Sequence, residues 1–335
     1  MTQPTHRQVW RRTDDYTKGT PKVKLVRETL PLHLYPTQIL IKVHAVALNY
    51  RDANIANGGN PWPVTPNSVP GNDAAVGDRV SPVTDTEFLT ARSTVRSWLA
   101  ADEDGILATY IVFDEKLVTK LSDHLDWIQA SIIPCAGITA WSALKGVTIG
   151  QTVLIQGTGA VPNFALKLAR SSSLRITLTS SSDRKLDQIK NQFGTPEIQT
   201  ANYRTHPEWQ KEVLRLTNGI GVDLVVENGG SSSLMQSMEC TRRGGIVSQV
   251  GYLGDPKPEH LKEFVPTIID RRLTVRGINV GSKDDQDELM AAISATQMTF
   301  EDILESTWSF DKAEEAIGYV WQSKQVGKVV IKLND

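Results

Sequence analysis

Hydrophobic and polar positions give the chain two textures. In the first third, Gln38-Ile-Leu-Ile-Lys-Val-His-Ala-Val-Ala-Leu48 alternates and is rich in β-branched residues, the pattern of a half-buried strand. A second short strand is predicted at 109–113, and a loop at 57–63, where Gly, Pro and Asn crowd together. From about Trp127, helical periods alternate with short apolar runs. Helix is predicted over 128–146, broken near Pro134, and again over 160–170, 183–192 and a stretch ending at Cys240. Between these lie predicted strands at 152–156, 175–179, 221–227, 245–250 and 273–279. A helix at 313–323 and a strand at 327–332 close the pattern. Strands separated by crossover helices imply a parallel sheet covered on both faces. No repeat, low-complexity tract or heptad run interrupts this order, and the serine clusters at 171–173, 180–182 and 231–233 fall in loops.

Composition narrows the function classes. The chain has 335 residues, enough for two domains of roughly 150 residues each. Lys and Arg total 36 against 38 Asp and Glu, a net charge of −2. That balance argues against a nucleic-acid partner, which needs clustered excess positive charge. No apolar run approaches the roughly 20 residues that span a bilayer, and the polar start has no signal-peptide core. The two cysteines, Cys135 and Cys240, form neither a disulfide framework nor a four-thiolate zinc site. A cytoplasmic protein is the expectation.

The densest motif is Val153-Leu-Ile-Gln-Gly157-Thr-Gly159-Ala160-Val161-Pro162. A glycine pair follows a predicted strand and opens a predicted helix. Gly157 permits the tight turn, Gly159 lets backbone approach a pyrophosphate, and free N–H groups at the helix start hold the anion. Pro162 stands where the fingerprint has Gly or Ala; proline is tolerated in a first helical turn. The alternative is a strand-to-helix turn without a ligand. The next strand ends in Ser180-Ser181-Ser182-Asp183-Arg184-Lys185. NAD sites place a carboxylate at that strand tip for the ribose 2′-hydroxyl. Here hydroxyls and cations stand there, which suits the 2′-phosphate of NADPH, with Asp183 expected as the N-cap of the following helix. The alternative leaves Arg184 and Lys185 as solvated first-turn residues, although cations are disfavoured at a helix N-terminus.

With these residues in place, the chain resembles a zinc-independent medium-chain dehydrogenase/reductase of the quinone oxidoreductase type, within the zinc-type alcohol dehydrogenase-like superfamily. The resemblance runs over nearly the whole chain. It rests on Ala47-Leu-Asn-Tyr-Arg-Asp52, Pro70-Gly-Asn-Asp-Ala-Ala75, Gly77-Asp-Arg-Val80, the run from Pro134 to Leu144, Gly157-Thr-Gly-Ala-Val161, Asn202-Tyr-Arg204 and Gly327-Lys-Val-Val-Ile331, in that order. It implies an α/β protein: a GroES-like β-barrel domain at 1–125 completed by 284–335, and a Rossmann doubly wound parallel-sheet domain at 126–283 that binds NADP. The active site would lie in the cleft between the domains.

What the resemblance implies about chemistry follows its matched positions. Zinc relatives carry Cys where this chain has Asn49 and His where it has Asn72; Cys135 matches a third ligand but stands alone. No metal is therefore expected, and Cys135 is expected as a packing residue. Hydride addition to an electrophilic acceptor, a quinone or α,β-unsaturated carbonyl, needs less Lewis-acid help than alcohol oxidation. Lys185 and Tyr203 match positions that contact NADPH phosphates, and Asn49 and Thr139 positions beside the nicotinamide. Asn228, Gly229, Val250, Gly251, Asn279 and Val280 match loops bordering the cofactor, and Lys328 is either a further contact or a surface strand charge. Tyr50 is either a proton donor or an aromatic pocket wall, with water as another proton source; Asp52 either orients Asn49 or caps a turn. Relatives have another strand and turn between Ala75 and Val76; either the loss exposes a barrel edge and damages this domain, or the barrel closes differently and keeps activity. Three functions follow: an NADPH-dependent quinone or enone reductase, an enoyl reductase of a secondary-metabolite pathway, or a catalytically impaired NADPH-binding protein. A small-molecule substrate and a homodimer through strand 273–279 complete the expectation.

Overall fold

The structure, a computed structural model, describes residues 3–194, 196–252, 258–323 and 325–333; the first two and last two residues of the predicted first domain lie outside them. The chain forms two units, residues 1–138 with 281–335, and residues 139–280. Among the described residues no helix is long and apolar enough to cross a membrane.

The strand Gln38–Leu48 organises the first unit. Its first half alternates between buried and half-buried positions, while Ala45 to Leu48 are buried without interruption. Pairing explains the change. The first half pairs antiparallel with Tyr110–Asp114; the second lies between Ala74–Val76 and Lys328–Lys332. The sheet runs Leu304–Ser309, Lys328–Lys332, Gln38–Leu48, Ala74–Val76, Val80–Pro82, Val118–Lys120. Its core gathers Val43, Val46, Leu48, Ile106, Leu107, Ile317 and Ile331. A separate hairpin pairs His6–Arg12 with Val23–Thr29; the density of charge in both strands hid it from pattern reading.

Of the two alternatives at Ala75, the exposed edge does not occur among the described residues. Ala74–Val76 turns directly into Val80–Pro82, with Val76 opposite Val80. Val80–Pro82 then pairs with Val118–Lys120. Ala74, Ala75 and Val76 are all 0% exposed. A short hairpin takes the place of a longer one, and both sides of Ala74–Val76 stay paired.

The second unit is a six-stranded parallel sheet ordered Gln199–Asn202, Arg175–Ser180, Thr152–Gln156, Val222–Glu227, Thr241–Gln249, Thr274–Gly277. This is the doubly wound Rossmann order. Chain direction across the sheet reverses between Thr152–Gln156 and Val222–Glu227, the switch point at which such sheets bind ligands. The predicted long helix at 128–146 is three pieces: Trp127–Ser131, a wide π-type turn Ile133–Gly137, and Ile138–Leu144. Pro134 lacks the N–H that would continue the first helix. Pattern reading did not single out the strand Gln199–Asn202, half polar and four residues long, or the helices Trp209–Leu216 and Lys283–Thr296.

Candidate functional site

In the second unit, the predicted cofactor residues share one edge of the sheet. Gly157 follows the strand Thr152–Gln156 at φ 89°, a conformation that favours glycine. Its N–H donates to the Thr179 carbonyl at 2.7 Å, which ties the turn to the neighbouring strand. Gly159 precedes the helix Ala160–Ser171 with open space where a Cβ would project. Ala160 and Val161 form the first helical turn, so its unpaired N–H groups face a surface that backbone alone defines. These features fit a dinucleotide pyrophosphate.

Ser180 ends the next strand and is buried; its carbonyl accepts from the Tyr203 N–H at 3.1 Å. Ser182, rather than Asp183, is the N-cap of the helix Asp183–Phe193. The Asp183 carboxylate instead accepts from Asn202 Nδ2 at 2.7 Å. Serine supplies the same cap oxygen without adding charge. Ser181 and Lys185 are half-buried and Tyr203 is exposed. The Lys185 ammonium is held below its ordinary range by burial and by its neighbour Arg184. Ser180, Ser181, Ser182, Lys185 and Tyr203 thus cluster at two adjacent strand ends.

The other half of this edge is ordered by a residue the sequence reading passed over. Glu227, fully buried, ends the strand Val222–Glu227. One carboxylate oxygen accepts from the N–H groups of Gly229 at 2.7 Å and Gly230 at 3.1 Å and from Ser233 Oγ at 2.7 Å. The other accepts from Gln156 Nε2 at 2.7 Å and from the Ser237 hydroxyl. Gln156 Oε1 in turn accepts from the N–H groups of Asn228 and Gly229. The Glu227 carbonyl accepts from the N–H groups of Val250 and Gly251. A Cβ at Gly251 would stand 2.0 Å from the Asn228 carbonyl oxygen, so that crossing requires glycine. The signal was a Glu ending an apolar strand, where a charge survives only when fully hydrogen-bonded. Thr139 is buried at the start of this unit. Asn279 and Val280 follow the last strand, with Val280 at φ 59°.

The first unit holds a second polar centre. Asn49 precedes the short helix Tyr50–Ala56. Asp52 accepts from the Asn49 N–H at 2.8 Å and the Gly71 N–H at 3.1 Å, and so joins two chain segments. Burial pushes its carboxyl above the ordinary range, against the Asn49 N–H and the nearby Arg51 and Lys328 charges. Lys328 and Asp73 are both 0% exposed and pair at 2.6 Å. Lys328 is therefore no surface charge. Its ammonium also donates to Asn49 Oδ1 at 2.9 Å. Asn49 Nδ2 donates to Asn72 Oδ1 and Asp73 Oδ2, both at 3.1 Å. The second Asp73 oxygen accepts from the Cys135 N–H at 2.6 Å. The Asn49 amide thus spends its carbonyl and both protons within this cluster. Tyr50 stacks on Trp321 at 5.9 Å with its ring plane 20° away, a wall-like placement.

Asn49, Asn72 and Cys135 do not fit zinc. Two amides are poor ligands, and an ammonium stands among them. Among the described residues no three His, Cys, Asp or Glu side chains are grouped to hold a metal ion.

Comparison with known proteins places this geometry. Residues 160–295 match the zinc-binding dehydrogenase family. A zinc-type alcohol dehydrogenase-like protein of Schizosaccharomyces pombe is 32% identical over 96% of this chain and 98% of its own length. A crystal structure assigned as an alcohol dehydrogenase of Sinorhizobium meliloti 1021 superposes with TM-score 0.85 at 27% identity, covering 99% of this chain and all of that one. A 2-octenoyl-CoA carboxylase reductase from a Streptomyces species, solved with NADP and 2-octenoyl-CoA, shares the fold at TM-score 0.81 and 20% identity, over 99% of this chain and 88% of that one. The chain belongs to the zinc-type alcohol dehydrogenase-like family of medium-chain dehydrogenases/reductases, and is an oxidoreductase of that family.

Proposed function

We propose that the chain is an NADPH-dependent reductase of quinones or α,β-unsaturated carbonyls that works without a metal. The observation that carries this reading is the buried Lys328–Asp73–Asn49 cluster. It sets an ammonium and amides where a zinc dehydrogenase needs thiolate and imidazole. Acceptors already electrophilic at carbon are the class that manages without a Lewis acid.

When bound, NADPH supplies the hydride. The chain's own residues do the rest. Gly157, Gly159 and the N–H groups at Ala160 and Val161 would hold the pyrophosphate. Ser180, Ser181, Ser182, Lys185 and Tyr203 would surround the 2′-phosphate, a combination of hydroxyl donors and a cation that an NAD site lacks. Glu227 fixes the loops of Asn228, Gly229, Val250 and Gly251 against one another, and these, with Thr139, Asn279 and Val280, would orient the nicotinamide. With its amide engaged on both sides, Asn49 orders its neighbours rather than moving a proton. The Tyr50 hydroxyl or a water delivers the proton.

A second reading, an enoyl reductase for thioester-linked substrates, draws support from the fold shared with the 2-octenoyl-CoA enzyme. A catalytically impaired nucleotide binder is disfavoured by the intact pairing of Ala74–Val76. We also place a homodimer at the last strand of the parallel sheet, Thr274–Gly277. Beside it in sequence, the helix Phe264–Arg271 leaves Val265 and Ile269 62% and 71% exposed.

Calorimetric titration with NADPH and with NADH tests the cofactor. NADPH is expected to bind at least about tenfold more tightly, a difference of roughly 1.4 kcal/mol, and Lys185→Ala to remove most of that preference. Equal dissociation constants for the two nucleotides would overturn it. A spectrophotometric panel of free quinones, enones and enoyl thioesters then separates the two enzyme readings.

A further inference from the structure

Orphaned polar atoms gather in one region of the first unit, near but outside the Lys328 cluster. Arg51 follows Tyr50 in the helix Tyr50–Ala56. Its Nη1 donates to the Leu99 carbonyl at 3.0 Å, while its buried Nη2 has no hydrogen-bond partner among the described residues. The carboxylate beside it in sequence, Asp52, is taken by two backbone N–H groups. The Arg51 guanidinium lies over the Trp98 ring at 5.3 Å, and Arg96 lies over the same side chain at 4.2 Å. Trp62 meets Trp98 edge-on at 5.6 Å and is 39% exposed. The indole Nε1 of Trp98 is also buried with no hydrogen-bond partner among the described residues. Asp102, the acid nearest this stack, accepts from the Trp98 N–H at 2.9 Å and pairs with Arg96 at 3.4 Å.

Arg12 extends the pattern. It is 1% exposed, donates one nitrogen to the Thr65 carbonyl and stands 3.4 Å from Asp14, yet its Nε and Nη1 have no hydrogen-bond partner among the described residues. Burial holds its guanidinium below the ordinary range, and the Arg51 charge adds to that. Leaving one buried donor unmade costs about 1–3 kcal/mol, more when it is charged. Native chains rarely tolerate several together unless a ligand, ion or water completes them. Two unfilled donors, one cationic and one an indole N–H, beside the part-exposed ring of Trp62 match one chemistry. It is a carboxylate on a planar conjugated body, held by charge-assisted hydrogen bonds and by the rings.

We propose that Arg51 and Trp98, flanked by Arg96 and Trp62, form a recognition site for a carboxylate carried on a planar conjugated acceptor, so that the preferred substrates are anionic enones or quinones. The proposal rests on the reading of the chain as a reductase of conjugated acceptors, and its test reads binding rather than turnover. The probes are trans-cinnamate and its neutral analogue trans-cinnamamide, titrated calorimetrically into the full chain without nucleotide. The expected result is cinnamate binding about tenfold or more tighter than cinnamamide, each tenfold being about 1.4 kcal/mol. Arg51→Met is expected to erase that preference. Trp98→Phe, which keeps a smaller aromatic ring and loses the indole N–H, is expected to weaken cinnamate about fivefold more than cinnamamide, the loss of one hydrogen bond to a charged group. Should Arg51→Met fail to fold by circular dichroism, Trp98→Phe decides alone. Equal binding of the two probes, no binding of either, or cinnamate affinity untouched by both substitutions would overturn the site and leave water as the partner of these donors. A chain that oxidises NADPH with neutral enones yet shows no cinnamate preference keeps the reductase and loses the site. A chain that prefers cinnamate but reduces no acceptor keeps the site and loses the reductase.

Discussion

Lys328 has no solvent exposure, and one carboxylate and one amide oxygen face its head. Removing that head leaves Asp73 buried without its counter-charge. Breaking a buried pair from one side destabilises by about 3–5 kcal/mol, and Lys328→Met is expected to lose that much in urea unfolding. Adding Asp73→Asn, which keeps an acceptor for the Cys135 N–H, is expected to recover part of the loss, since the uncompensated charge is gone. The two thiols give a second check. Burial pushes both upward, Cys135 to about 12 and Cys240 likewise upward, and the thiolate is the reactive form. The native chain is expected to leave both unmodified by a thiol reagent at pH 8, and the urea-unfolded chain to react at both. Lys328, by contrast, could not be assigned from sequence, because a lysine at the start of a strand describes a surface charge equally well.

At the scale of elements, the hairpin of His6–Arg12 and Val23–Thr29 carries a cross-strand ion pair centred on Glu28. Glu28 takes hydrogen bonds from Arg7 and Arg11 across the strands, and the Arg11 contact, then the Arg7 one, holds its carboxyl below the ordinary range. A folded-state pKa below the unfolded one adds stability that is complete above the unfolded value. It is lost as pH falls through the folded one. Glu28→Gln is therefore expected to be less stable than the parent at neutral pH, with the gap closing as pH drops below the usual glutamate range near 4.3. Thermal unfolding of both chains across pH 3–7 reads this; a gap independent of pH would show that the pairing contributes no linkage. The hairpin was illegible because its strands carry charge on nearly every second residue. Ala74–Val76 misled in another way: a missing length of chain suggested a missing pairing, whereas a tight turn at Gly77, Asp78 and Arg79 restored it.

For the whole molecule, the parallel sheet ends at a strand with half-exposed and exposed residues, and the helix before it, Phe264–Arg271, has no buried residue. Such an edge invites pairing with another chain. Light scattering is expected to give a mass near twice the 37.0 kDa of one chain, and Ile269→Lys to shift the population toward one copy by adding charge to the exposed apolar helix face. A single-chain mass for the parent would remove the dimer.

The sequence by itself determined the parallel sheet and its phosphate-type turn. Both are local: Thr152–Gln156 is an apolar run matched residue for residue, and Gly157 needs its own positive φ. It also determined the family, since the motifs keep their order along the chain. Tertiary structure decided which charges are buried together. Lys328 and Asp73 lie 255 residues apart, and Glu227 and Gln156 lie 71 residues apart. No window of sequence contains such contacts. A charge survives in a core only where distant chain segments deliver its partners, and that delivery is a property of the fold.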